Sequence, residues 1–316
     1  MKLTIPVSRH DRHLIPNLIK SIESFKPGTD HELIVFGSRE VEQDVLELEK
    51  KIKHLFTLSE TLIIDDTMLG WPMSCNFYFQ QLCRYISGKK DVDAFMWFEL
   101  DTTIIKPDWL DVIANEYYAD TTKANKEKRT PSIYLGAKER AYEGRNGELL
   151  PESIAGQRMA PIGVYSKEIC FSPVLNSLSL TNRHWTHVIQ WYVVKRLKNS
   201  QLIQNNWRTK NYRHEQKNIV CDSDANLAWD IHWNNPLNDN AVLVHGCKDS
   251  SLFKLLLDNN NNDMKMMKNL SVEDAEDIVD DIEDVSDLDA EKQTKIYKQR
   301  ASSQKFFRKN KKETEE

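Results

Sequence analysis

The chain has 316 residues, 40% hydrophobic and 29% charged, a balance expected of a soluble globular protein with one large domain or two small ones. No apolar run approaches the ~20 residues that span a bilayer, so stable membrane insertion is not expected. A formal charge of -5 excludes a general basic field for nucleic acid and leaves room only for a local patch.

The N-terminus "MKLTIPVSRHDRH" lacks the apolar stretch and small-residue cleavage site of a secretory signal, which implies a cytoplasmic location. Cysteines 75, 83, 170, 221 and 247 are scattered, form no CxxC pair and read as reduced, packed thiols. Strands are expected at 2–8, 31–38, 60–66 and 93–101, with helical spacing at 14–25, 39–55 and 74–88 between them. This alternation predicts a mostly parallel sheet with helices on both faces. In such sheets ligands bind beyond the carboxyl ends of the strands. Several of the predicted strands end there in polar residues: Ser8 to Asp11, Gly37-Ser38, Asp65-Asp66, and the pair Glu99/Asp101.

Further along, "SIYLGA" (132–137) and "MAPIGVYSKEI" (159–169) read as strands or strand–turn units. "HWTHVIQWYVVKRL" (184–197) reads as an aromatic-rich helix, and "AVLVHGCKD" (241–249) as a last strand. After "DNNNND" the composition changes, which places a domain boundary at 257/258. From residue 264 onward there are 14 acids and 11 bases, leaving 34 and 32 in the body (48 less 14, 43 less 11). Residues 258–316 are therefore expected to form a charged extension, helical where Ala275, Ile278, Val279, Ile282 and Val285 keep helical spacing.

The chemistry concentrates in "FMWFELDTTIIKPDWL". An apolar strand ends on Glu99 and Asp101, two acids at i and i+2, which an ideal strand points the same way. Such a pair suits a hard divalent cation, and equally a solvated loop. This stretch resembles the DxD region of GT-A-fold glycosyltransferases, with Glu99 standing for the first Asp. "VLVHGCKDSSL" resembles the family's late His-Gly-x-Lys motif, and "GWPMSCNFYF" more loosely the segment that opens a helix beneath the donor. The likeness spans about residues 1–255 in motif order.

The resemblance implies a Rossmann-like GT-A fold and a nucleotide-sugar donor, a UDP-sugar foremost. It implies Mn²⁺ or Mg²⁺ held by Glu99, Asp101 and His245, with Lys248 on the phosphates. Asp101 is the expected direct ligand, since the extra methylene of Glu99 leaves a direct or water-mediated contact open. Pro6, Ser8, Arg9, Asp65, Asp66, Trp71, Ser74 and Asn76 are implied donor contacts. "CDSDANLAWD" is similar to an acidic stretch of the family 8 retaining transferases, which makes Asp222, Asp224 and Asp230 candidates for a base or a sugar-hydroxyl ligand.

Between 193 and 217 basic and aromatic residues alternate, a pattern that suits a phosphate backbone and an unstacked base and equally an exposed surface segment. Arg196, Trp207, Arg208, Lys210 and Arg213 are the acceptor candidates. The chain also resembles bacteriophage glycosyltransferases, some of which modify hydroxymethylated pyrimidines in DNA; a DNA acceptor and a host-cytoplasmic location follow from that likeness. The alternatives are a bacterial surface glycan as acceptor, a phosphohydrolase using the same carboxylates, and a non-catalytic nucleic-acid- or protein-binding module.

Overall fold

The structure, a computed structural model, describes residues 1–65, 73–140, 157–181, 184–204, 240–247 and 252–253. Asp66, Trp71, Trp207, Arg208, Lys210, Arg213, Asp222, Asp224, Asp230, Lys248 and the expected extension 258–316 lie outside the described residues.

Strands β1 (Lys2–Val7), β2 (Glu32–Ser38) and β3 (Leu58–Ile64) run parallel, joined by helices α1 (Ile15–Ser24) and α2 (Glu42–Ile52). After α3 (Met73–Ser87), β4 (Ala94–Trp97) returns to the other side of β1, again parallel. The chain continues through β5 (Thr102–Ile104), α4 (Trp109–Lys126), β6 (Tyr134–Arg140) and β7 (Gln157–Ser166). It then passes through α5 (Trp185–Val193), β8 (Leu197–Asn199), β9 (Ile203–Gln204) and β10 (Leu243–His245).

The main sheet has seven strands in the order β3-β2-β1-β4-β7-β6-β8, and β5-β10-β9 form a smaller one. β7 is antiparallel to both β4 and β6, so the expected mixed, mostly parallel α/β fold is what the chain adopts. Strand order reverses at β1, whose neighbours β2 and β4 lead to opposite edges. The crevice beyond β1 and β4 is therefore the natural ligand position.

Alternation along the strands divides the core between two faces. Leu3, Ile5, Val7, Leu33, Val35, Met96 and Phe98 pack on one side with α1, α2 and Trp109, Leu110 and Ile113 of α4. Ile34, Phe36, Phe95, Trp97 and Tyr165 pack on the other with α3 and α5. There Phe79 stacks on Trp185 at 3.9 Å between ring centres, and Trp97 sits edge-on to Phe36 and to Trp185.

The fourth strand is shorter than the apolar run suggests. It was expected to reach 101, but β4 ends at Trp97, and its last ladder bond runs from Phe98 N–H to Thr4 O at 2.9 Å. In an evenly spaced parallel ladder the next bond needs the N–H of Pro6, which does not exist. The ladder stops, and residues 98–101 are released into a turn closed by Thr102 N–H on Glu99 O at 3.2 Å. Glu99 and Asp101 thus sit on a turn rather than along a strand. The expected helix over 184–197 is shorter as well, since α5 gives way after Val193 to a 3₁₀ turn and then to β8.

Candidate metal and donor site

The turn after β4 carries the two acids, and β10 brings the third group to it. β10 runs antiparallel to β5 with His245 opposite Thr102, one residue past Asp101. Beyond His245 the backbone docks on the acidic turn, because Asp101 O accepts from Gly246 N–H at 3.1 Å and from Cys247 N–H at 2.8 Å. Gly246 achieves this at φ 94°, a region that a side chain disfavours. Gly246→Ala is expected to cost about 1–3 kcal/mol, read as a lowered midpoint in chemical denaturation.

His245 Nε2 lies 2.8 Å from Glu99 Oε2 and 3.2 Å from Asp101 Oδ1. One ligand atom from each of the three residues falls within 4.8 Å of the others. Asp101 and His245 are buried, while Glu99 is about a quarter exposed at its side chain (26%). The other Glu99 oxygen, Oε1, accepts from Trp97 Nε1–H at 3.1 Å. Burial pushes the His245 pKa down, but the charge of Asp101 and hydrogen bonds to Asp101 and Glu99 outweigh it and raise it to about 10. Two carboxylates around one imidazole demand a positive counter-charge, which either a proton on His245 or a cation can supply. Oxygen from two acids and one imidazole nitrogen form a donor set that suits Mn²⁺ or Mg²⁺, with coordination positions left for phosphate or water.

The neighbouring strand ends hold several of the implied donor contacts. After β1, Ser8 Oγ bonds Asp11 at 3.1 Å, and Arg9 pairs with Glu40 at 3.2 Å. Ser38 N–H at the end of β2 donates to the Tyr78 hydroxyl at 3.0 Å, and the exposed Arg39 pairs with Asp65 at the end of β3. Pro6 and Ser74, near the start of α3, are half-buried.

Two residues are committed elsewhere. Asn76 is buried in α3 with its Nδ2 donating to Leu178 O at 3.3 Å, so this amide ties the helix to the 3₁₀ segment Pro173–Leu180. Arg196, expected at the acceptor, grips Glu168 through two bonds of 2.5 and 2.6 Å and donates from Nε to Pro131 O. Its guanidinium holds the Glu168 carboxyl below the usual range. Arg196 O accepts from Ile133 N–H, Ile133 O accepts from Ser166 N–H, and Ser166 pairs with Ala94. Arg196 is therefore level with the start of β4, while Glu99 lies five residues on, roughly 16 Å of extended chain. The structure does not bring Arg196 to the site.

No protein-family model matches the chain, and no curated protein matches it in sequence. Solved structures do match in three dimensions. An active-site mutant of LgtC superposes with a TM-score of 0.50 at 9% identity, covering 85% of this chain and 100% of its own. The galactosyltransferase LgtC with donor and acceptor sugar analogs gives 0.49 at 8% identity, over 91% and 98% of the two chains. Mouse xyloside xylosyltransferase 1 gives 0.44 at 11% identity, over 78% and 96%. At these identities the likeness to LgtC defines a fold, that of the GT-A glycosyltransferases. No helix among the described residues is long and apolar enough to cross a membrane.

Proposed function

We propose that this protein is a metal-dependent glycosyltransferase that moves a sugar from a nucleotide-sugar donor to an acceptor hydroxyl. The observation that carries the reading is the convergence of Glu99, Asp101 and His245 at the crevice where strand order reverses. Those three residues would hold Mn²⁺ or Mg²⁺. A cation held there supplies positive charge to the donor's two phosphates as the nucleoside diphosphate departs.

The chain's own residues bind and orient around that charge. Ser8, Arg9 and Asp65 stand at the ends of β1 and β3, where they suit the nucleoside. Lys248 follows two residues after Gly246 in sequence, and we assign it to the diphosphate as a point charge. Asp222, Asp224 and Asp230 are assigned to the acceptor hydroxyl or the transferred sugar. Because the sugar carbon passes through an oxocarbenium-like state, positioning and leaving-group charge contribute more than a strong nucleophile.

For the acceptor we favour a hydroxymethylated pyrimidine in DNA: the basic and aromatic run Trp207, Arg208, Lys210 and Arg213 suits a nucleic-acid backbone, and the likeness to bacteriophage transferases supplies the hydroxymethyl group. The test is purified protein with Mn²⁺ and a panel of sugar nucleotides. One donor is expected to raise the melting temperature and to be slowly hydrolysed in a Mn²⁺-dependent manner. Absence of any donor effect, with tight DNA binding retained, would replace this reading with a binding module. Release of phosphate from simple esters would replace it with a phosphohydrolase. Duplexes with and without 5-hydroxymethylcytosine, run beside a bacterial surface glycan, decide the acceptor.

A further inference from the structure

We infer that Trp97 is a positioning residue for the metal site, orienting Glu99 through its indole N–H. This inference rests on the metal-site reading above. Of the three converging residues Glu99 is the most exposed at its side chain and has the most rotatable bonds. It therefore needs restraint most. Its two oxygens are divided: Oε1 accepts from Trp97 Nε1–H at 3.1 Å, and Oε2 lies 2.8 Å from His245 Nε2.

Trp97 is well suited to impose that orientation because it hardly moves. It is 2% exposed, with its ring set among Phe36, Phe79 and Trp185 at centre distances of 5.4 to 5.5 Å. A buried indole N–H needs an acceptor, and the residue two positions on provides one. The arrangement also accounts for glutamate where aspartate stands in the resembling motif. An aspartate carboxylate at 99 falls roughly 1.5 Å short, too far back to hold both the indole and the cluster. The supporting group and the ligand are thus encoded together in "WFE".

The test is a Mn²⁺ titration followed by electron paramagnetic resonance, on wild type, W97F, E99D and the double variant. W97F keeps an aromatic ring and removes only the donor. Both single variants are expected to bind Mn²⁺ about tenfold more weakly, and the double variant no more weakly than E99D. In metal-free protein labelled with ¹⁵N at its 8 tryptophans, the indole resonance missing from W97F is expected to shift in E99D.

Wild type that binds Mn²⁺ with W97F binding it equally well overturns the inference. So does a further tenfold loss in the double variant, the mark of a packing effect independent of Glu99. Wild type without saturable Mn²⁺ binding overturns the metal reading itself, and the positioning role with it. If W97F does not fold, the Trp97 indole resonance is assigned by triple-resonance spectroscopy of wild type and E99D decides alone: weaker Mn²⁺ binding with that resonance shifted supports the inference, and either change without the other overturns it.

Discussion

Asp101→Ala is expected to abolish saturable Mn²⁺ binding and, with it, metal-dependent stabilisation by a nucleotide-sugar. Asp101 is almost fully buried, and its carboxylate lies 3.2 Å from an imidazole that is buried too. Removing one partner from a buried charge cluster costs about 3–5 kcal/mol. Lost from a bound cation, that energy weakens affinity by at least about 100-fold. Asp101→Asn separates charge from shape, since it fills the same space and leaves the backbone bonds from Gly246 and Cys247 in place. It is expected to show nearly the same loss of Mn²⁺ affinity. In EDTA near neutral pH it is expected to unfold at lower denaturant than wild type, because the buried His245 loses the carboxylate that chiefly holds its proton. Calorimetric titration with Mn²⁺ alone reads the effect, and unchanged affinity in Asp101→Asn would remove this carboxylate from the ligand set.

The second large effect is a pair of opposing pH dependences, both due to His245. In metal-free protein its folded pKa of about 10 exceeds the ordinary 6.5. The resulting stabilisation is complete below about pH 6.5 and is lost as pH rises toward 10. Its full extent is on the order of 5 kcal/mol. Metal binding runs the other way, because a ligating imidazole must be neutral. Mn²⁺ is expected to displace about one proton at pH 7 and to bind roughly tenfold more tightly per pH unit between 6 and 8.5. Denaturation in EDTA at pH 6.5 and 9 measures the first slope. Titration in buffers of different ionisation enthalpy measures the second. His245→Gln is expected to flatten both, and either slope surviving in that variant would assign it to another group.

The outer strands and their helices were legible because each apolar run and each helical stripe is local. β1, β2 and β3 fall where β-branched runs end in polar residues, and the convergence of Glu99, Asp101 and His245 was foreseen from motifs about 145 residues apart. The end of β4 was not legible. What stops that strand is Pro6, some 90 residues earlier, acting through a ladder position that only the folded sheet defines. Helix α4 carries a buried stripe at Trp109, Leu110, Ile113 and Tyr117, but Val112 and Tyr118 lie exposed and blur its period.

The surroundings of Arg196 were illegible for a related reason. Its basic neighbours suggested a surface for phosphate, whereas its guanidinium is held by Glu168, a residue no pattern connects to it. Trp97 reads in sequence only as one more aromatic of a buried strand. Its distance of two residues from Glu99 was the available signal, and the bond between them is what gives that spacing meaning.

The double docking of Gly246 and Cys247 on the Asp101 carbonyl has a consequence for the order in which the molecule is made. Glu99 and Asp101 leave the ribosome 146 and 144 residues before His245 does, roughly 7–30 s at 5–20 residues per second. Strands β1 to β4 need only neighbouring crossovers to pair, so the sheet can form during that interval. The acidic turn must then wait, its carboxylates facing each other without an imidazole between them, and closing so long a loop comes late in folding. A nascent chain stalled before residue 240 would therefore hold the crevice beyond β1 and β4 without His245 beside Glu99 and Asp101. The short segment Leu243–Cys247 is thus the latch that brings the third group to the acidic turn, and it arrives late in synthesis.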